Sequence, residues 1–376
     1  MKKRVAILGA TGSIGKSALD VLRNGKERFQ PVLFCANENR ESLLELKKEF
    51  PGVLLALASD TAVSGAGIDF TGSQGILDAI AAAGADITLN GISGAAGLLP
   101  SQAVLKSGSD LALANKETVV MAGPLIFALA AEKKLRVIPV DSEHSAVFRL
   151  LAAHGKDTAQ EIILTASGGP FRNYSQEMLS HVTPEEALAH PTWNMGPKIT
   201  VDSATLANKG LEVIEAAGLF GFPPENIKVV VHPQSIIHSM VRLKDGAVYA
   251  QMANPDMRLS IHGALTWPQT ESAPFGVLDF DSLSLTFEKC DFERFPMLAL
   301  AYEALKGGGL LPAVFNAANE AAVQAFFKRR IGFLEIPRIV RYAIRESWHE
   351  KPLTIENVLE RDRKARELTE TLIGSL

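Results

Sequence analysis

Between residues 4 and 140, short apolar runs alternate with amphipathic segments. The apolar runs predict strands at residues 5–8, 32–36, 53–58, 86–90, 111–114 and 137–140. Helical periodicity lies between them, for example after Gly15, at 43–47 and at 119–133. Strands that are apolar nearly throughout and alternate with helices are typical of a parallel, doubly wound α/β sheet.

The pattern changes after Asp141. A strand is predicted at 161–166, and a long polar stretch with several prolines at 167–198 holds short helices at 176–179 and 185–188. The next predicted elements are a helix at 199–218, strands at 228–231, 237–243 and 247–252, and a helix at 257–267. Lys244-Asp245-Gly246, between the last two strands, is a hairpin signal. This region is therefore predicted to be α+β.

Residues 268–295 show little periodicity and are predicted to form a connector. Helices are predicted at 297–305, 313–328, 336–347 and 355–372, and their short loops indicate a small bundle. The prediction is an α/β protein with a Rossmann-like, doubly wound parallel sheet at 1–141. A central α+β catalytic domain at 142–267, with a lid loop at about 183–197, then precedes the connector and a C-terminal helical bundle at 296–376.

Composition excludes several classes of protein. A net charge of −4 does not indicate a general nucleic-acid surface, so an anionic substrate needs a local cationic pocket. The two cysteines, Cys35 and Cys290, form neither a disulfide framework nor a CxxC motif. The apolar run at 121–131 is too short to span a bilayer, and the apolar run at 5–8 is too short for a secretory signal. We therefore expect a cytoplasmic protein that binds neither nucleic acid nor membranes.

A glycine-rich turn at residues 9–15 follows the first predicted strand and begins the first helix. Its glycines permit a tight turn and close approach to a pyrophosphate, and the helix N-terminus binds phosphate. The turn predicts a dinucleotide site at Thr11, Gly12, Ser13 and Ile14. The alternative is a glycine-rich turn in a domain that binds no nucleotide.

The second predicted strand is followed by Asn37, Glu38, Asn39 and Arg40. An acid at this position favours the ribose 2′-hydroxyl of NAD, and a base favours the 2′-phosphate of NADP. Both signs are present, so these residues alone leave the choice open, and either charge could simply be solvated.

Asp141 and Glu143 follow the strand predicted at 137–140. On an extended segment both side chains would lie on the same side. Two carboxylates held that close favour a bound cation, and their oxygens suit Mg²⁺ or Mn²⁺. The alternative is that Ser142 or Asp141 caps a helix through residues 146–151.

A second polar patch lies in the helix predicted at 199–218. Asn208, Glu212 and Glu215 have the spacing of one helix face. Ser203, Asn208 and Lys209 offer donors suited to a phosphate, and Glu212 could be a third metal ligand. The alternative is a solvated helix face with a Lys209–Glu212 pair.

Two further segments carry candidate chemistry. Asn115-Lys116-Glu117 follows a predicted strand, where Lys116 could reach a substrate or could be solvated. Residues 190–196 place Trp193 and Met195 on a polar loop, which suits a lid but also a permanently packed loop. His232 and His238 are predicted to be structural.

These stretches together resemble the 1-deoxy-D-xylulose-5-phosphate reductoisomerase family from Lys3 to the C-terminal helices. The resemblance rests on GATGSIG at 9–15, ANKE at 114–117, PVDSEH at 139–144, ASGGPF at 166–171, HPTWNMG at 190–196, NKGLE at 208–212 and HPQS at 232–235. It implies NADPH and one divalent cation (Mg²⁺, Mn²⁺ or Co²⁺) as cofactors and a homodimer. The implied reaction rearranges 1-deoxy-D-xylulose 5-phosphate by retro-aldol cleavage and re-addition, then reduces it to 2-C-methyl-D-erythritol 4-phosphate, in non-mevalonate isoprenoid precursor biosynthesis.

The resemblance also implies roles for residues of this sequence. The metal ligands would be Asp141, Glu143 and Glu212, and the phosphate would be bound by Ser167, His190, Ser203, Asn208 and Lys209. Substrate contacts would include Ser142, and the catalytic group would be Lys116, Glu143, His190 and the lid residue Trp193. The cofactor would contact Asn37, Asn39, Arg40, Asn115, Lys116, Glu117, Met195, Gly196 and Met257 in addition to the glycine turn. The family commonly has a basic residue near position 38, where this chain has Glu38.

Two alternatives from other classes are weaker. A semialdehyde dehydrogenase needs a cysteine nucleophile in its second domain, and neither Cys35 nor Cys290 lies in a suitable place. A non-catalytic, dinucleotide-sensing regulatory protein would not need the three carboxylates.

Overall fold

The computed structural model describes residues 1–59, 67–193, 195–275, 278–348, 350–351 and 353–375. The chain divides into two compact units. The first contains residues 1–118, 126–145 and 256–276, and the second contains residues 119–125, 146–255 and 277–376. Among the described residues, no helix combines the length and apolar character that crossing a bilayer requires.

Parallel strands form the sheet of the first unit. Its strands are β1 (Lys3–Leu8), β2 (Phe29–Ala36), β3 (Leu54–Leu57), β4 (Phe70–Thr71), β5 (Ile87–Asn90), β6 (Asp110–Leu113) and β7 (Val137–Pro139). In the described residues their order is β4-β3-β2-β1-β5-β6-β7. The strand order reverses beside β1, which pairs with β2 on one side and β5 on the other. Ligands of doubly wound sheets bind at this point.

Helices lie between these strands and after the last of them. They are α1 (Ser13–Asn24), α2 (Arg40–Glu49), α3 (Gly72–Ala83), α4 (Leu98–Lys106), α5 (Lys116–Lys133) and α6 (Ser142–His154). The six predicted strands and the doubly wound sheet are confirmed. The strand β4 was not predicted because it has only two residues, and the helices α3 and α4 were not predicted because the polar and apolar faces of their short sequences contrast weakly. Helix α11 (Met257–Thr266) also belongs to this unit, where Leu265 O accepts a hydrogen bond from Lys3 Nζ (2.7 Å).

The second unit has a mixed sheet and a helical part. Its strands are β8 (Ala159–Ala166), β9 (Ile227–Val231), β10 (Ile237–Leu243), β11 (Val248–Met252) and β12 (Glu288–Lys289), in the order β11-β10-β8-β9-β12 within the described residues. The predicted hairpin is confirmed, since β10 and β11 are antiparallel. The predicted connector is not wholly irregular, because β12 pairs with β9.

The helices of the second unit are α7 (Gln176–Leu179), α8 (Pro184–Ala187), α9 (Pro197–Thr205), α10 (Ala207–Phe220), α12 (Pro296–Gly307), α13 (Leu311–Phe327), α14 (Glu335–Arg345) and α15 (Ile355–Gly374). The prediction of one helix over 199–218 is wrong. Leu206, at φ +60°, separates α9 from α10, and its side chain is buried. Hydrophobic periodicity does not detect such a break, because it changes the path of the backbone without changing the polarity of the sequence.

The backbone of the glycine turn leaves no room for a side chain at Gly15. A Cβ atom at Gly15 would lie 2.3 Å from Gly9 O and 2.5 Å from Ala10 Cα, whereas one at Gly12 would lie 3.4 Å from Gly9 O. We expect Gly15→Ala to reduce the free energy of unfolding by about 1–3 kcal/mol, the usual cost of overpacking. Gly12→Ala is the matched control and should cost less. Urea denaturation measures both, and equal stability of the two variants would contradict this account.

Candidate active site

The glycine turn lies between β1 and α1. The N–H groups of Gly9 and Ala10 both donate to Cys35 O (3.0 and 2.7 Å), which fixes the turn against the end of β2. Gly12 is the N-cap of α1 and has no side chain to cap the helix, and the first turn contains no acidic residue. The start of α1 is therefore suited to an anion such as a pyrophosphate.

The segment after β2 leads directly into α2. Asn39 is the N-cap residue, and its Oδ1 accepts a hydrogen bond from Ser42 N (3.1 Å). Arg40 is the first residue of the helix, and Glu38 is exposed. The capping role of Asn39 uses its side-chain oxygen and leaves the NH₂ group as the part suited to a phosphate.

Lys116 begins α5 beside a tightly bonded cap. Asn115 Oδ1 accepts a hydrogen bond from Thr118 N (3.0 Å), and Asn115 Nδ2 donates to Ile92 O and Gly94 O (2.8 and 2.9 Å). Lys116 Nζ lies 2.7 Å from Asp141 Oδ2. The lysine is buried, so the alternative of a solvated side chain is wrong.

Asp141, Ser142 and Glu143 do not continue a strand. Strand β7 ends at Pro139, α6 begins at Ser142, and Ser145 N donates to Asp141 O (2.7 Å). The expectation that Asp141 and Glu143 lie on an extended segment is therefore wrong, and a helix does begin here, although at Ser142 instead of Ala146. Glu143 is in the first turn of α6, where its carboxylate accepts a hydrogen bond from Ser142 Oγ.

In the second unit, His190 is bonded through both ring nitrogens. Its Nδ1 accepts hydrogen bonds from Thr192 N and Trp193 N (3.1 and 2.9 Å), and its Nε2 lies 3.0 Å from Ser167 Oγ. An Nδ1 that accepts two N–H groups carries no proton, so Nε2–H donates to Ser167. Burial also lowers the pKa of His190, which favours this neutral ring. The Ser167 hydroxyl then has its own proton to donate.

The loop after β8 approaches the end of α9 closely. Gly169 has φ +68°, and a Cβ atom there would lie 2.7 Å from Ser203 O. Ser203 is buried. The Ser167 and Ser203 segments, predicted to bind one phosphate, thus meet within the second unit.

Asn208, Lys209 and Glu212 form a cluster on α10. Asn208 Nδ2 donates to Glu212 Oε1 (2.6 Å), and Lys209 Nζ donates to Glu212 Oε2. Glu212 is 0% exposed and Lys209 is 3% exposed. The alternative of a solvated face is therefore wrong, although the Lys209–Glu212 pair is confirmed. A buried ion pair is costly to desolvate and is weak evidence for stability, which favours a functional reading.

The structure also places the remaining predicted residues, two histidines among them. His232 is structural, as predicted, because Nε2 accepts from Ile236 N (3.2 Å) and Nδ1 contacts Thr286 O (2.8 Å). His238 is buried, and its ring centroid lies 6.2 Å from that of Trp193, a contact that the sequence did not predict. Gly196 is the N-cap of α9, Met195 precedes it, and Met257 begins α11.

Acid should break the His190 contacts. The pKa of His190 is lowered from an ordinary value of about 6.5, so the neutral ring is favoured in the folded protein. The bonds are fully present above the ordinary pKa and are lost as pH falls through the lowered one. Corrected amide exchange at Thr192 and Trp193 should therefore lose protection on acidification.

His190→Gln removes the titrating ring and should abolish the pH dependence of this protection. The amide of Glu186, which donates to the Thr183 hydroxyl (3.3 Å), is the control. If the unmodified protein, like His190→Gln, shows no pH dependence of this protection down to the pH at which it unfolds, the tautomer assignment is contradicted.

Comparison with protein families matches most of the chain. Residues 5–123 match the family described as 1-deoxy-D-xylulose 5-phosphate reductoisomerase. Residues 137–220 match the 1-deoxy-D-xylulose 5-phosphate reductoisomerase C-terminal domain, and residues 252–368 match the DXP reductoisomerase C-terminal domain. Proteins named 1-deoxy-D-xylulose 5-phosphate reductoisomerase are similar to the chain. The one from Chlorobaculum tepidum is 49% identical over 99% of this chain and 100% of its own length. The one from Clostridium botulinum strain Loch Maree is 46% identical over 97% and 98%.

Two solved structures of reductoisomerases are also similar to this chain. The reductoisomerase from Zymomonas mobilis in complex with NADPH has a TM-score of 0.92 and 42% identity and covers 100% of both chains. A DOX-P reductoisomerase in complex with NADPH, fosmidomycin and magnesium has a TM-score of 0.92 and 34% identity, covering 99% of this chain and 98% of the other.

Proposed function

Because the chain belongs to the 1-deoxy-D-xylulose 5-phosphate reductoisomerase family, we propose that it converts 1-deoxy-D-xylulose 5-phosphate to 2-C-methyl-D-erythritol 4-phosphate with NADPH and a divalent cation. The buried cluster of Asn208, Lys209 and Glu212 carries the proposal, because it unites phosphate donors with a candidate metal ligand. The alternatives of a semialdehyde dehydrogenase and a non-catalytic sensor are not favoured by the family match.

Phosphate binding is assigned to donors of the second unit. Ser167 has its hydroxyl proton to donate, because its oxygen accepts from His190 Nε2 and from Gly169 N (3.3 Å). Ser203, Asn208 and Lys209 supply the remaining hydrogen bonds and a positive charge. Binding energy from this remote group closes the 190–196 segment, with Trp193, over the substrate and excludes water.

The divalent cation is assigned to Asp141, Glu143 and Glu212. The donor set fits a hard ion such as Mg²⁺, Mn²⁺ or Co²⁺, since all three residues offer carboxylate oxygens. Two of them already contact an ammonium group, Asp141 with Lys116 and Glu212 with Lys209. When bound, such an ion acts as a Lewis acid toward substrate oxygens.

Proton movement is assigned to Lys116 and Glu143. Lys116 is held by the Asn115 cap and by Asp141, so its ammonium has a defined position from which to donate. The Glu143 carboxylate is oriented by the hydroxyl of Ser142. Ser142 is also proposed to contact the substrate. Met195 and Met257 would lie on the nicotinamide side of NADPH, which supplies the hydride when bound.

Loss of one metal ligand should abolish turnover without abolishing cofactor binding. We expect Glu212→Gln to lose activity at limiting Mg²⁺ or Mn²⁺ while its Kd for NADPH stays within about twofold, less than 0.5 kcal/mol. EDTA should stop the unmodified enzyme.

The control for Glu212→Gln is Glu320→Gln, which breaks the pair with Arg366 (2.7 Å) in the same unit. This variant should remain active. Normal turnover of Glu212→Gln at limiting metal would remove Glu212 from the ligand set, whereas turnover of the unmodified enzyme in excess EDTA would refute a divalent-ion requirement altogether.

Arg40 is proposed to contact the 2′-phosphate of NADPH, with Asn37 and Asn39 beside it and Glu38 turned to solvent. A charge-assisted contact is worth about 1.5–3 kcal/mol, so Arg40→Ala should raise the KM for NADPH roughly ten- to a hundredfold and leave that for NADH nearly unchanged. Glu38→Lys should sharpen the preference for NADPH.

Lys48→Ala is the matched control for Arg40→Ala, because it removes an exposed positive charge from the last turn of the same helix. It should leave both cofactor constants unchanged. If Arg40→Ala affects NADPH and NADH equally, Arg40 does not contact the phosphate.

A homodimer is proposed from the family, and a cytoplasmic location stays an expectation from the sequence. The strand β11 supports dimerisation, because it lies at an edge of its sheet and exposes Val248 and Tyr249. An exposed edge strand can pair with a second copy of the chain. Sedimentation velocity should give the mass of a dimer, and Val248→Lys should shift it toward the monomer. A monomeric unmodified protein would contradict this proposal.

A further inference from the structure

Asp202 is a buried carboxylate that none of the assigned roles uses. It lies on α9, is 1% exposed, and accepts a hydrogen bond from Asn319 Nδ2 on α13 (2.8 Å). Its second oxygen lies 2.9 Å from Lys198 Nζ, four residues earlier on the same helix. The Lys198 side chain is only 15% exposed, so the interaction is largely removed from water.

Stability alone does not account for this arrangement. Desolvating two charges costs several kcal/mol, and well-packed apolar residues often replace such a pair without loss. Breaking the pair is nevertheless costly, because it leaves a buried charge uncompensated. The arrangement therefore fixes geometry more than it adds stability.

The neighbours of Asp202 indicate which geometry it fixes. Lys198 follows directly on the proposed lid segment 190–196 and Pro197, at the start of α9. Ser203, a proposed phosphate donor, is the residue after Asp202, and its carbonyl faces the closely approaching Gly169. One carboxylate thus bonds to the base of the lid segment, adjoins a phosphate donor, and anchors both to α13.

We propose that Asp202 is a positioning residue for substrate phosphate, acting through Ser203 and through Lys198 at the base of the lid. The inference rests on the proposed function, since it assumes the phosphorylated substrate. Lys198 has a second effect in this arrangement. It neutralises a carboxylate that would otherwise repel a phosphate dianion in surroundings where charges are poorly screened.

The test separates positioning from stability by comparing two substrates. Asp202→Asn keeps the shape of the side chain but removes its charge. We expect it to raise the KM for 1-deoxy-D-xylulose 5-phosphate about tenfold, the effect of weakening one charge-assisted contact, and to leave the KM for NADPH within about twofold. Lys198→Met keeps most of the lysine stem and should likewise raise the KM for 1-deoxy-D-xylulose 5-phosphate without changing that for NADPH. Lys198→Arg keeps the positive charge, so its KM for the sugar phosphate should be close to that of the unmodified enzyme.

Asp362→Asn is the matched control. Asp362 is also buried and also pairs with a cation four residues away, Arg366 (2.7 Å), but it lies on α15. It should lower Tm without changing either KM. The proposal stands if Asp202→Asn or, should that variant not fold, Lys198→Met changes the sugar-phosphate KM selectively.

The proposal is overturned if both constants change together, or if the variants lower Tm as Asp362→Asn does and change neither KM. Failure of the unmodified enzyme to turn over 1-deoxy-D-xylulose 5-phosphate would be a different result. It would refute the proposed function itself and would be seen before any variant is made.

Discussion

Compensation of buried charge is the constraint on which the rest of this structure depends. In the described part of the chain, lysine–carboxylate pairs join Lys116 to Asp141, Lys198 to Asp202, and Lys209 to Glu212. Removing one member of such a pair typically costs about 3–5 kcal/mol, because the other is left as an uncompensated buried charge. Each pair therefore holds a helical segment in place, at the starts of α5, α9 and α10. Ser203 and Asn208, two of the proposed phosphate donors, lie on α9 and α10.

Much of the fold could be predicted from the sequence, because the relevant signal is local. A strand such as β1 or β6 is a short run of apolar residues, buried on both faces of a parallel sheet, and it needs no distant partner to be recognised. The glycine turn could be predicted for the same reason, since the need for glycine at Gly15 arises from contacts with Gly9 and Ala10. The candidate phosphate donors were also within reach, because hydroxyl, amide and ammonium groups are recognisable by type.

Features that depend on backbone direction or distant partners could not be predicted. The start of α6 at Ser142 was misplaced because an acidic, serine-containing segment fits both a strand end and a helix start. The burial of Glu212 was not evident, since helix α10 is packed on nearly all sides and its polar residues suggest exposure. The contact between Asn319 and Asp202 joins residues 117 positions apart, and no pattern in a single sequence marks it.

The break at Leu206 has an electrostatic consequence. A continuous helix through this region would have one N-terminus, at Pro197, and its peptide dipoles would run unbroken past Lys209. Because Leu206 adopts φ +60°, α10 begins anew at Ala207. The positive end of its macrodipole, about half an elementary charge, therefore lies at Asn208 and Lys209. A leucine in this conformation costs on the order of 1–3 kcal/mol. In return, the N-terminus of α10 brings a second source of positive potential to Lys209, where the substrate phosphate is proposed to bind.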